Sequence, residues 1–182
     1  MQTIYTVGHS THPLQEFSSI LHAFSIQTVV DIRTIPRSRK NPQYNQEELE
    51  SWLKTSGVGY VHLRDLGGLR HPRKDSVNIG WKNESFRGYA DYMQSDQFAS
   101  AISQLISFAL EQTVTVMCAE AVPWRCHRSL VGDALLVRGV HVQHIMSATS
   151  SKAHVLTAWA RVDGLRITYP AETSNSLSPD RL

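Results

Sequence analysis

The sequence predicts an α/β fold of three layers: a mostly parallel sheet of about five strands with helices on both faces. Short apolar runs of strand length alternate with stretches that repeat at helical spacing, the pattern of a parallel sheet with helical crossovers. Those runs end on polar turn residues such as Gly8-His9-Ser10 and Asp31-Ile32-Arg33. At 182 residues and 41% hydrophobic, the chain also suits one domain with a real core.

Taken in order, Gln2 to Val7 reads as the first strand. Pro13 suits a first helical turn, and Leu14, Phe17, Ile20, Leu21 and Phe24 come after it at helical spacing. Gln27 to Ile32 is a second strand. Asn45 with Glu48 resembles a capping box, opening a helix that Gly57 closes. Val58 to Leu63 is a third strand, succeeded by a long polar loop over residues 64–84. Phe86 to Met93 and Phe98 to Leu110 read as helices, Thr113 to Cys118 as a fourth strand, Cys126 to Arg138 as a helix and Val140 to Ile145 as a fifth strand. A shorter strand is expected within Val155 to Val162. Residues 1–170 form a single α/β domain in this reading, and the Ser- and Pro-containing stretch 171–182 is a flexible tail.

Composition narrows the classes. Two cysteines are too few for a disulfide-built secreted scaffold. No basic segment leading into an apolar core opens the chain, and no window approaches about eighteen consecutive apolar residues. The expectation is a soluble cytoplasmic protein with reduced thiols and no membrane partner. A net charge of +2 does not by itself imply nucleic acid.

A parallel sheet brings the carboxyl ends of its strands to one edge, where ligands bind. His9 and Ser10 then leave strand one, Asp31 and Arg33 strand two, His62 and Arg64 strand three, and Cys118 and Glu120 strand four. The richest stretch is Val114 to Arg128, in which both cysteines, an acid, a histidine and two arginines fall within eleven residues. Arg33, Arg37, Arg39 and Lys40 make the next loop basic, as do Arg64, Arg70, His71, Arg73 and Lys74 in the long one. Arginine forks and a helix N-terminus suit phosphate or carboxylate. The length of the 64–84 loop points to a functional or mobile segment.

Cys126, beside Arg125, His127 and Arg128 at the expected helix start, should have a lowered pKa and act as a nucleophile, unless it merely packs under the helix. Cys118 closes an apolar strand and reads more readily as buried core. A phosphatase loop does not fit: six residues separate Cys118 from Arg125, none is glycine, and Glu120 would repel phosphate. Zinc or iron at Cys118, Cys126 and His127, with His9 or His62, lacks familiar spacing, so no metal ligand is assigned. A disulfide across the turn would be transient in a reducing compartment. Asp31 and Glu120 form a candidate pair for proton transfer, although Asp31 equally suits orienting Arg33, and Glu120 a salt bridge to Arg125 or Arg128. His9 is the best histidine candidate, against an equally good structural role.

The blocks TVGHST at 6–11, VVDIRTIPRSR at 29–39, YVHLRDLGG at 60–68, FRGYADYM at 86–93 and MCAEAVPWRCHR at 117–128 together resemble the domain of unknown function 488 family, continuing through HVQHI at 141–145 to AWARVDGLRITYP at 158–170. The resemblance implies a single α/β domain and marks Gly8, His9, Ser10, Asp31, Arg33, Pro36, Cys118, Glu120, Cys126, His127 and Arg128 as signature positions. It implies no established activity, and the cofactor is unknown.

The leading expectation is an enzyme acting on an anionic, phosphate-bearing or nucleotide-derived substrate. Cys126, Glu120, Asp31 and His9 are its candidate catalytic residues, and Ser10, Arg33, Arg125, His127 and Arg128 its candidate binding residues. A non-catalytic nucleic-acid-binding module is the alternative, with Tyr44, Trp81 and Trp124 available to stack bases but no basic–aromatic stripe. A thiol redox or metal sensor is a third reading.

Overall fold

The central apolar runs become strands because each serves two cores at once. In a computed structural model, which describes residues 2–171, the strand β4 (Val114–Cys118) is buried along its whole length. Val114, Val116 and Cys118 enter one hydrophobic cluster and Met117 the other. The same division holds for Val30 and Val29 of β2 (Thr28–Asp31).

The sheet has six strands in the order β3-β2-β4-β1-β5-β6, one more than the sequence pattern indicates. The strands β1 (Thr3–Gly8), β2, β3 (Gly59–His62), β4 and β5 (His141–Ser147) run parallel. The added strand β6 (Ser150–Ala153) pairs antiparallel with β5 at the edge and is exposed throughout. With nothing to bury, it carries no apolar signature. The strand expected within Val155 to Val162 does not form as such; only Arg161 and Val162 join a separate hairpin of β7 (Arg161–Asp163) and β8 (Arg166–Thr168).

One cluster packs α1 (Leu14–Ala23) and α2 (Gln46–Thr55) on the sheet through Phe17, Ile20, Leu21, Leu49 and Leu53. The other packs α3 (Glu84–Tyr92), α4 (Asp96–Glu111) and α5 (Arg128–Leu136) through Tyr89, Phe98, Ile102, Leu105 and Leu130. Three layers result. After β1 the chain crosses through α1 on one face, and after the neighbouring β4 through α5 on the other. That divergence opens a crevice between the ends of β1 and β4, the topological switch point of an open α/β sheet.

Local chemistry sets the helix ends. Asn83 Oδ1 accepts from the amides of Ser85 and Phe86, and Ser95 Oγ from that of Phe98. Asn45 stands at the N-cap of α2, but its Oδ1 accepts from the Ser38 amide (2.9 Å), so the expected capping box is not made. Gly57 does close that helix at φ 72°, with its own amide on Lys54 O and the Val58 amide on Leu53 O. Before α5 stands a 3₁₀ turn, Pro123–Arg125, and Cys126 is extended, so the helix begins two residues later than expected. The long 64–84 loop is tethered: Asp91 accepts from Arg73 N, Ser76 Oγ and Asn78 Nδ2, while buried Asn78 accepts from the Tyr169 amide. The tail 172–182 lies outside the described residues.

Candidate functional site

The ends of β1 and β4 are joined by their backbones. The His9 amide donates to Cys118 O (2.9 Å) and the Ser10 amide to Ala119 O (3.1 Å). A Cβ at Gly8 would stand 1.8 Å from Glu120 O, so glycine is what lets the two segments meet. Over this junction opens a cleft of about 440 Å³, reached by His9, Arg33, Arg37, Cys118, Glu120, Arg125, Cys126 and His127. The 64–84 loop adds Gly68 and Leu69 to its wall, and Ile35 and Leu69 stand exposed at its mouth.

At the end of β2 the charges are matched. Asp31, fully buried, takes Arg33 Nε (2.9 Å) and Nη2 (2.6 Å) in a bidentate pair, and also accepts from Tyr60 Oη (2.8 Å). Arg33 Nη1 points to His9 Nε2 at 3.3 Å. His9 Nδ1–H donates to Ser10 O (2.9 Å), and its ring stacks on buried Tyr44 at 4.0 Å between centroids. Burial, aided by the Arg33 charge, pushes His9 down to about 4, so its imidazole is neutral at neutral pH.

At the end of β4 they are not. Cys118 Sγ and Cys126 Sγ lie 2.8 Å apart, both thiols are free, and both reach the cleft. Beneath the 119–126 loop sits Arg128, 1% exposed. Its Nη2 donates to Glu120 O and Ala121 O, while Nε and Nη1 have no partner and no carboxylate pairs with it among the described residues. A buried guanidinium without a counter-ion is costly, and its charge favours the thiolate form of both nearby sulfurs. Burial alone would raise Cys118, but the hydrogen bond from Cys126 and the Arg128 charge outweigh it and hold Cys118 below the ordinary thiol range. Cys126 is pushed well up, because its proton is held in the bond to Cys118 and because it is buried. The depressed thiol is therefore Cys118, the reverse of the sequence expectation, in which a helix N-terminus lowered Cys126. His127 Nδ1 stands 3.5 Å from Cys126 Sγ, with Nε2–H on Ile32 O; burial drives this imidazole down to about 4.

Six of the nine candidate residues reach the cleft: Cys126, Glu120, His9, Arg33, Arg125 and His127. Asp31, Ser10 and Arg128 do not. Asp31 is fully buried and paired with Arg33, behind the cleft wall. Ser10, at φ 47°, acts through its backbone on His9, and Arg128 lies under the loop. Arg37 joins the cleft from the basic loop. Among the described residues, no group of three or more His, Cys, Asp or Glu is arranged to hold a metal ion. No described helix is long and apolar enough to cross a membrane.

The fold is an open α/β sheet with a crevice at its switch point, lined by a thiol pair. The chain belongs to the family described as Domain of unknown function DUF488, whose model matches residues 13–135, a span that holds both cysteines, Asp31, Arg33, Glu120 and Arg128. No curated protein and no solved structure matches the chain.

Proposed function

We propose that the protein is an enzyme acting on an anionic, phosphate-bearing or nucleotide-derived substrate through a thiolate shared by Cys118 and Cys126. The observation that carries this reading is the contact of two free thiols at 2.8 Å on the floor of the cleft, above a buried Arg128 that lacks a carboxylate. Arg37 and Arg125 are exposed, line the cleft and form no ion pair among the described residues, so they are the groups to grip the anion. Arg33 has spent two of its donor nitrogens on Asp31 and serves as a rigid wall. Sulfur attacks the electrophilic centre, and the leaving group departs with the bonding pair. Glu120, the exposed acid on the cleft, is placed to exchange a proton with it or with the water that frees the adduct.

Paired alkylating agents test this. Iodoacetate, an anion, should label the pair faster than neutral iodoacetamide, and the preference should disappear in Arg37→Gln/Arg125→Gln. Slower labelling by iodoacetate in the folded protein would overturn the reading.

The same sulfur contact favours a second reading, a dithiol sensor in which peroxide oxidises one thiolate to a sulfenic acid and the other sulfur displaces water to form a disulfide. Mass spectrometry after peroxide, with and without a reductant, distinguishes it. A nucleic-acid-binding role draws on the same arginines but loses two of its three stacking candidates. Tyr44 is buried against His9, and Trp81 packs with Phe86 and Trp159.

A further inference from the structure

The Pro123–Arg125 turn lends Arg125 to the cleft, and Pro123 and Trp124 to a second cavity of about 310 Å³. That is near the small end of ligand sites. Three indoles line it. Trp81 and Trp159 meet edge to face at 5.0 Å, and Trp124 is 60% exposed.

The polar groups around this space sort cleanly. Asp133 Oδ1 accepts from His154 Nε2–H (2.9 Å), which leaves His154 Nδ1 to accept from His144 Nε2–H (2.9 Å) and His144 Nδ1 to accept from the Thr6 hydroxyl (2.6 Å). All four ring nitrogens are engaged, and burial, helped by His154 and Arg128, drives His144 down to about 3, so it brings no charge. Lys152 is the one formally charged residue on the cavity, which no Asp or Glu lines, and it forms no ion pair among the described residues. The Nε1–H groups of Trp81 and Trp159 are buried without an acceptor. Aromatic faces and a single cation are left free on this wall.

We propose that this second cavity binds a planar aromatic carboxylate, its ring against Trp124 and Trp159 and its carboxylate toward Lys152. A flat apolar body answers the indoles, and an anion answers Lys152, the one charged side chain on the rim.

Calorimetric titration of the full chain with 2-naphthoate, alongside neutral 2-naphthamide, tests it. One saturable site for naphthoate is expected. Lys152→Met should weaken naphthoate roughly fivefold and leave naphthamide unchanged. Trp124→Ala should weaken both by about tenfold. Lys152 and Trp124 are exposed, so neither variant threatens the fold. Absence of saturable naphthoate binding, equal affinity in Lys152→Met, or a loss in Arg125→Gln instead would overturn the proposal, the last by placing the ligand in the first cleft.

Discussion

Two buried arginines stand at the ends of neighbouring strands and live in opposite electrostatic conditions. Arg33, after β2, is locked to Asp31 by a bidentate pair that Tyr60 completes. Arg128, after β4, has two carbonyl oxygens for one nitrogen and nothing for the other two. The first pair is closed on itself and holds the crevice in shape. The second leaves positive charge unanswered beneath two sulfurs. A matched buried ion builds a site, and an unmatched one shifts the chemistry of whatever titrates beside it.

The strongest way to break this contrast is Asp31→Asn, which leaves Arg33 without its counter-charge and should cost about 3–5 kcal/mol of stability in chemical denaturation. Arg128→Met should cost less than half as much, since it removes the donor to two carbonyl oxygens but leaves no buried charge unpaired; equal losses would erase the distinction.

His9, which accepts from Arg33, offers a pH probe of the matched side. Its folded pKa is depressed from 6.5 to about 4, so between those values the unfolded chain binds a proton that the folded protein refuses. Stability should therefore be fully present above pH 6.5 and fall as pH drops toward 4, with His9 contributing on the order of 3 kcal/mol. His9→Gln should make that slope shallower without removing it, because His127 is depressed in the same direction. An unchanged slope would mean that His9 titrates normally.

On the unmatched side, Arg128→Met should move the pH midpoint of iodoacetamide labelling upward by roughly one unit, because the cation that holds Cys118 down is gone. A midpoint that stays in place would show that the guanidinium does not govern the thiols. The smallest effect belongs to the exposed pair. Arg37→Gln and Arg125→Gln should each change stability by less than about 0.5 kcal/mol, checked by thermal melting, while sulfate should protect the thiols from iodoacetate less than in the parent protein.

Much of this molecule is legible in the sequence alone. The buried strands announce themselves because a strand covered on both faces must be apolar along its length. His9, Arg33 and Glu120 are legible at the rim too, because each stands within two residues of a strand end and its place is set by near neighbours in the chain. Ser150–Ala153 is not legible as a strand, because an exposed edge needs no apolar pattern. Asn45 reads as a cap by spacing, yet its side chain is drawn off by Ser38, whose position depends on the path of a loop. Cys118 reads as core because it is core, 2% exposed, and only its contact with Cys126 gives it a second character. Tyr44 could not be placed on His9 by any pattern, since the two are brought together by separate connections.

By itself the amino-acid sequence determined the layered α/β architecture and the edge at which its polar groups collect, because run length and periodicity are properties of neighbouring residues. Only the tertiary structure decided that β4 lies between β2 and β1. That order puts Cys118 beside His9 and brings the Arg33 guanidinium, already held by Asp31, up to the His9 ring. Contacts between distant segments add Tyr60 to Asp31 and lay His9 between Arg33 and Tyr44, and burial then sets how strongly each local pairing is felt.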